Sequence, residues 1–157
     1  LQTDALRREL LGPRTANDAV IEGFDEGRYA PAHRQRVYEE MLSRAAARLA
    51  DRESVILDGT FLAAELLRRA AAMGNDARAA VLVVRCHCPD EVARTRVAAR
   101  LAAGGDLSEA RPELFDRQRL ALEAVADGIA NVEVDTTRSL AEQVAAVIER
   151  LRSLVAA

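Results

Sequence analysis

Three sets of residues have types and spacings suited to chemistry. Asp58 closes the apolar run Val55-Ile56-Leu57 and precedes Gly59. A carboxylate at the end of a buried strand is held rigidly and can orient a metal-bound water. Asp-Gly between two apolar runs is also a tight-hairpin signal. The next residues (Phe61, Leu62, Ala63, Ala64, Leu66, Leu67, Ala70) have helical rather than alternating order. Asp4 and Arg7 lie three apart, on one face of a helix. Such a pair can take a proton from a hydroxyl and guide a phosphate or an acidic substrate. It also matches an ordinary surface ion pair with its acid in the first turn. Arg96 and Arg100, four apart, run beside the stripe Ala93, Val97, Leu101 toward Gly104-Gly105. Two guanidiniums on a hinged edge would balance transition-state charge over a phosphate donor. A solvated basic face has the same pattern.

Other reactive types are less informative. His33 and His87 are isolated in sequence, and Tyr38 reads as a packing residue. Cys86 and Cys88 lie two apart on a strand pattern. A bridge over so short a loop is strained, and one pair without a second is a poor zinc signal.

The elements that must position these groups emerge from periodicity and punctuation. Thr3 is a plausible N-cap for a short helix with Leu6, Leu10 and Leu11, closed by Gly12-Pro13. Residues 12–30 read as loop with about one helical turn. Pro31 opens a helix to about Asp51, with Val37, Met41, Ala45 and Leu49 at i, i+4 spacing. Ser54–Asp58, Ala79–Cys88 and Val132–Val134 read as short buried strands. Between them lie helices from Leu62 to Met73, ended by Gly74-Asn75, from Pro89 until Gly104-Gly105 stops it, and from Pro112 to about Ala126. Ser139 to Val155 closes the chain as an amphipathic helix. Buried strands separated by helices predict an α/β three-layer sandwich on a parallel sheet.

Composition bounds the rest. The 157 residues fit one domain, with half of them hydrophobic and 30% charged. Aromatics are 3% and Trp is absent, so Ala, Val, Leu and Ile must build the core. The net charge of -3 gives no general attraction to nucleic acid or anionic membrane. No run approaches the roughly 20 apolar residues of a membrane span. No signal peptide is expected, and the expected setting is cytoplasmic. Every basic residue counted among the 22 is arginine, so lysine is absent.

Together these pieces resemble the P-loop kinase-like ATPases of the polynucleotide kinase and zeta toxin type. This family includes the ATP-binding half of bifunctional aminoglycoside-phosphotransferase-like proteins. Thr3-Asp4-Ala5-Leu6-Arg7 resembles the family's Ser/Thr-Asp-x-x-Arg motif, and Val37-Tyr38 a pair in its middle helix. Val55-Ile56-Leu57-Asp58-Gly59-Thr60-Phe61-Leu62 is similar to the family's Ile-Leu-Asp-Ala-Thr-Phe-Leu segment. Cys88-Pro89 with Arg96 and Arg100 fits a lid helix, in a lid spanning about 90–118. Asp106 to Arg111, then Gln118, fits the segment after it.

The resemblance implies an ATP- and Mg2+-dependent phosphotransferase acting on a small-molecule hydroxyl. Asp4 would be general base, Arg7 would steer the acceptor, and Asp58 would organise magnesium with Thr60 nearby. Arg96 and Arg100 would hold the donor phosphates. Alternatives are an ATP-binding regulatory module without turnover, a polynucleotide 5′-hydroxyl kinase, which the acidic charge disfavours, and a toxin-like kinase acting on a nucleotide sugar. The family opens with a strand and a Gly-x-x-x-x-Gly-Lys-Ser/Thr loop that these residues lack. The expectation is a sheet without its first strand and Walker A loop, and a form inactive without them. The acceptor and the oligomeric state are not legible.

Overall fold

Pro31 at the first helical position, with Val37, Met41 and Ala45 on one stripe, produces the longest helix and its buried face. The structure, a computed structural model, describes residues 1–12, 25–103 and 112–156. In order these form α1 (Thr3–Leu11), a 3-10 turn (Gly27–Tyr29), α2 (Pro31–Ala50), α3 (Ala64–Asp76), β1 (Val83–His87), α4 (Asp90–Ala103), α5 (Pro112–Ala121), β2 (Asn131–Asp135) and α6 (Leu140–Val155). Gly104-Gly105 and Asp106 to Arg111 fall outside the described residues.

The core sits where α1 crosses α2. Met41, Val37, Tyr38 and Leu6 are buried, with Leu1, Leu10, Leu57, Phe61 and Leu66 packed against them. Arg44 of α2 adds a polar clasp. It donates to Glu9 of α1 at 2.9 Å and to Glu40 at 2.7 Å.

The architecture is α/β with parallel pairing, as predicted. β1 and β2 pair in parallel, from Val83↔Asn131 to His87↔Asp135, and α6 packs on β2. The expected strand over Ser54–Asp58 is corrected in part. It is not a ladder strand among the described residues, and it makes a single parallel bridge, Gln2↔Asp58. It pairs on one side only, and Ile56 is 82% exposed.

Four boundaries also differ. Thr3 is the first helical residue of α1, and Gln2 is the N-cap. The second strand begins at Val83, not Ala79. Gly74 does not end α3 but lies buried inside it, where a Cβ would stand 2.3 Å from Val81 Cγ2. The left-handed residue that closes α3 is instead Arg78, at φ 56°. The Ala79 amide then bonds to Gly74 O and the Arg78 amide to Asn75 O, a Schellman motif. α2 ends the same way, with Arg52 at φ 63°. α5 stops at Ala121, short of Ala126, because the chain there turns to α3. Glu123 donates its amide to Leu62 O at 2.9 Å, and its carboxylate accepts the Ala64 N–H at 2.6 Å. The N-cap residue Ala63 has no side-chain acceptor, so Glu123 supplies the missing cap.

Met41 has no exposed surface, so its truncation leaves a cavity at the α1–α2 crossing. Met41→Ala is expected to lower the unfolding free energy by about 3 kcal/mol, as measured by urea denaturation.

Candidate active site

The pairing around Asp58 creates the site. The Leu1 nitrogen donates to Ile56 O at 2.8 Å. The Asp58 amide donates to Leu1 O at 2.8 Å, and the Thr3 amide donates to Asp58 O at 2.9 Å. Helix α1 starts at Thr3, so Asp4 enters its first turn one residue beyond that last bond. Asp4 and Asp58 thus leave neighbouring parallel segments at the same end. A helix N-terminus is a favourable place for an anion.

Arg7 is not a surface residue. It is buried, its Nη1 donates to the Asp4 carboxylate, and its guanidinium lies 4.5 Å from the centre of the Tyr29 ring. Among the described residues its Nε is buried without a hydrogen-bond partner. Tyr29 is brought there by its neighbours. Arg28 Nη2 donates to Gly12 O at 2.8 Å, which fastens the 3-10 turn to the C-terminal end of α1. Arg34 Nη2 donates to Tyr29 O at 3.2 Å.

The turn after Asp58 is equally constrained. A Cβ on Gly59 would stand 2.7 Å from Thr3 Cγ2 and 3.2 Å from the Tyr38 hydroxyl, closer than side chains tolerate. Thr60 is exposed. Phe61 adopts φ 41°, and its amide donates to the Tyr38 hydroxyl at 2.9 Å. The rings of Tyr38 and Phe61 meet edge to face at 5.0 Å. Tyr38 does pack, as its sequence context indicates, but it also anchors this turn.

The arginines of α4 go elsewhere. Arg96 donates to Thr136 Oγ1 at 2.8 Å and to Thr136 O at 2.9 Å, beside the carboxyl end of β2. Thr136 is itself joined to β1, because its amide donates to His87 O at 2.8 Å. Arg100 is exposed one turn further along α4. Arg94 pairs with Asp116, and Arg119 with Asp90 at 3.2 Å, so α4 is clasped to α5. Hydrogen bonding from Arg94 holds the Asp116 carboxyl below the usual range. Asp135 is likewise held low, mainly by the Thr137 hydroxyl and then by the Thr137 amide. Cys86 is exposed, Cys88 is partly buried, and both are free thiols.

The structure therefore pairs Asp4 with Arg7, starts their helix beside the backbone of Asp58, and sets Arg96 at the β1–β2 end. Residues that sequence reasoning missed are Tyr29, which covers Arg7, and Glu123, which caps α3. A tyrosine in a loop and a lone glutamate leave no periodic signal.

Residues 1–125 match a family model described as an AAA domain, AAA_33. The chain belongs to this P-loop kinase-like family. Similar to this AAA-domain chain are uncharacterized proteins of Mycobacterium tuberculosis and Mycobacterium bovis. Each is 34% identical over 116 residues, which is 73% of this chain and 22% of the relative. The chain thus spans about a fifth of the length of these relatives. A crystal structure described as a "putative kinase" of Chloroflexus aurantiacus matches 98% of this chain and 82% of its own, with TM-score 0.63 and 20% identity. That likeness concerns the fold. No helix among the described residues is long and apolar enough to cross a membrane.

Glu9, which helps hold α1 and hence Asp4, has its carboxyl held below the usual range, mainly by hydrogen bonding from Arg44. A depressed folded-state pKa contributes stability above the unfolded value, near 4.3, and that stability is lost as pH falls through the folded value. The melting temperature should therefore fall between about pH 5 and pH 3. Glu9→Gln should show a shallower fall, read by thermal denaturation across that window.

Proposed function

We propose that the chain is the catalytic part of an ATP-dependent phosphotransferase that moves the γ-phosphoryl group to the hydroxyl of a small molecule. The observation that carries the reading is the backbone pairing of Asp58 with Leu1 and Thr3, which starts the helix of Asp4 beside Asp58. Family membership and a kinase-like fold support it.

In this reading Asp4 accepts the proton of the acceptor hydroxyl as its oxygen bonds to the γ-phosphorus. The bond to the ADP oxygen breaks, and ADP leaves. Little covalent work is asked of the base, because such transition states are loose and depend on positioning and charge. Arg7 holds the Asp4 carboxylate and offers its remaining donors to the acceptor.

No group of three His, Cys, Asp or Glu suited to a metal occurs among the described residues. Magnesium takes one or two carboxylates, keeps several waters, and uses substrate phosphates for the rest. Asp58 would hold it through a water, with Thr60 nearby. Bound there, magnesium would neutralise charge on the β- and γ-phosphate oxygens. Arg96 and Arg100 would contact the donor phosphates, which requires Arg96 to leave Thr136. The sequence has no lysine and no Gly-x-x-x-x-Gly-Lys-Ser/Thr loop.

A second reading, an ATP-binding regulatory module without turnover, is favoured by the engagement of Arg96 with Thr136. Asp4→Asn separates the two. In the full-length gene product it should leave ATP affinity unchanged by calorimetry and lower the rate of labelled phosphate transfer by about 10³-fold. Wild-type protein that binds ATP and transfers nothing to any hydroxyl acceptor would favour the regulatory module. A separate expectation concerns Asp58→Asn, which should raise the Mg2+ concentration needed for half-maximal rate, read by magnesium titration.

A further inference from the structure

Tyr38 is 2% exposed and belongs to the α1–α2 core, where a phenylalanine would fill the same space. Its hydroxyl nevertheless has a specific task. It accepts the N–H of Phe61 at 2.9 Å, and Phe61 is held at φ 41°. A bulky residue at positive φ is strained and persists only where its surroundings over-determine it. The strain falls three residues after Asp58 and one after Thr60. The same hydroxyl would lie 3.2 Å from a Cβ at Gly59, so it also crowds the space where a side chain at that position would stand. At the start of the turn the Thr3 amide holds Asp58 O, and Thr3 Cγ2 leaves no room for a side chain at position 59.

We propose that Tyr38 is a positioning residue. Its hydroxyl fixes the Asp58–Phe61 turn against the start of α1, and so sets Asp58 relative to Asp4. The inference rests on the phosphotransferase reading for its catalytic consequence, but the anchoring itself is a property of the turn. Two contacts define the turn from opposite sides, the Thr3 amide on Asp58 O and the Tyr38 hydroxyl on the Phe61 amide. Losing the second leaves the Phe61 amide without its partner, while Glu123 still holds Leu62 and Ala64 beyond it. The Phe61 dihedral can then relax, and Asp58 loses its fixed relation to the base.

The test is Tyr38→Phe in the full-length gene product, which keeps the ring, its edge-to-face contact with Phe61 and the core volume. Amide hydrogen exchange should rise at least about tenfold at residues 59–62, the scale of losing one hydrogen bond, and stay unchanged in α1 and α2. The turnover number should fall by about tenfold with the KM for ATP unchanged. Tyr38→Leu, which also removes the ring, should raise exchange in α2 as well as in the turn. Unchanged exchange at 59–62 in Tyr38→Phe overturns the anchoring. Raised exchange there with unaltered turnover overturns the catalytic positioning and leaves the phosphotransferase reading intact. Wild-type protein without turnover sinks that reading instead, and the exchange result still decides the anchor.

Discussion

A short run of parallel backbone hydrogen bonds, from Leu1–Thr3 to Ile56–Asp58, is the constraint on which the rest depends. These bonds bring together two segments more than fifty positions apart in sequence. One ends as a helix begins, and the other ends in a turn. The core beneath them makes the pairing worthwhile: Leu57 from one side and Leu6 from the other pack on Tyr38 and Met41. Removing water from that apolar surface is what drives the crossing of α1 and α2. The hydrogen bonds then set the register.

The polar groups obey the same logic. Arg7 is buried, which is unfavourable for a guanidinium unless charge and dipoles meet it. The Asp4 carboxylate and the Tyr29 ring do so. Arg28, by bonding to the last carbonyls of α1, ties the 3-10 turn in place and keeps Tyr29 over Arg7. By contrast, the clasp between α4 and α5 is made of exposed pairs, Arg94 with Asp116 and Arg119 with Asp90. Such pairs are individually weak and screened by salt. The α1–α2 crossing and the α4–α5 pair are therefore held by different physics, one by apolar burial and the other by surface charge.

Much of this is legible in the sequence. The i, i+4 stripe Val37, Met41, Ala45 identifies α2 and its buried face, and the order of helices and strands indicates parallel pairing. The capping box of Ser139 and Glu142 accounts for the sharp start of α6. The apolar run ending at Asp58 marks the candidate site but overstates the strand, because a ladder needs several successive paired residues on a neighbouring segment and periodicity reports only the run itself. Gly74 reads as a stop because glycine usually occupies the left-handed position at a helix end. Here Arg78 takes that position, and Gly74 serves close approach by Val81. The burial of Arg7 cannot be read from i, i+3 spacing, which is the same for an exposed pair. It depends on Tyr29, delivered by a loop.

The reach of Glu123 to the first turn of α3 has a mechanical consequence. One residue holds Leu62 by its main chain and Ala64 by its side chain, immediately downstream of the strained Phe61. It sits just behind α5, so the hairpin of α4 and α5 is tethered beside the Asp58 turn rather than hanging free. Two hydrogen bonds from a single residue thus join the end of α5 to the backbone that follows Asp58, so the two segments share one attachment.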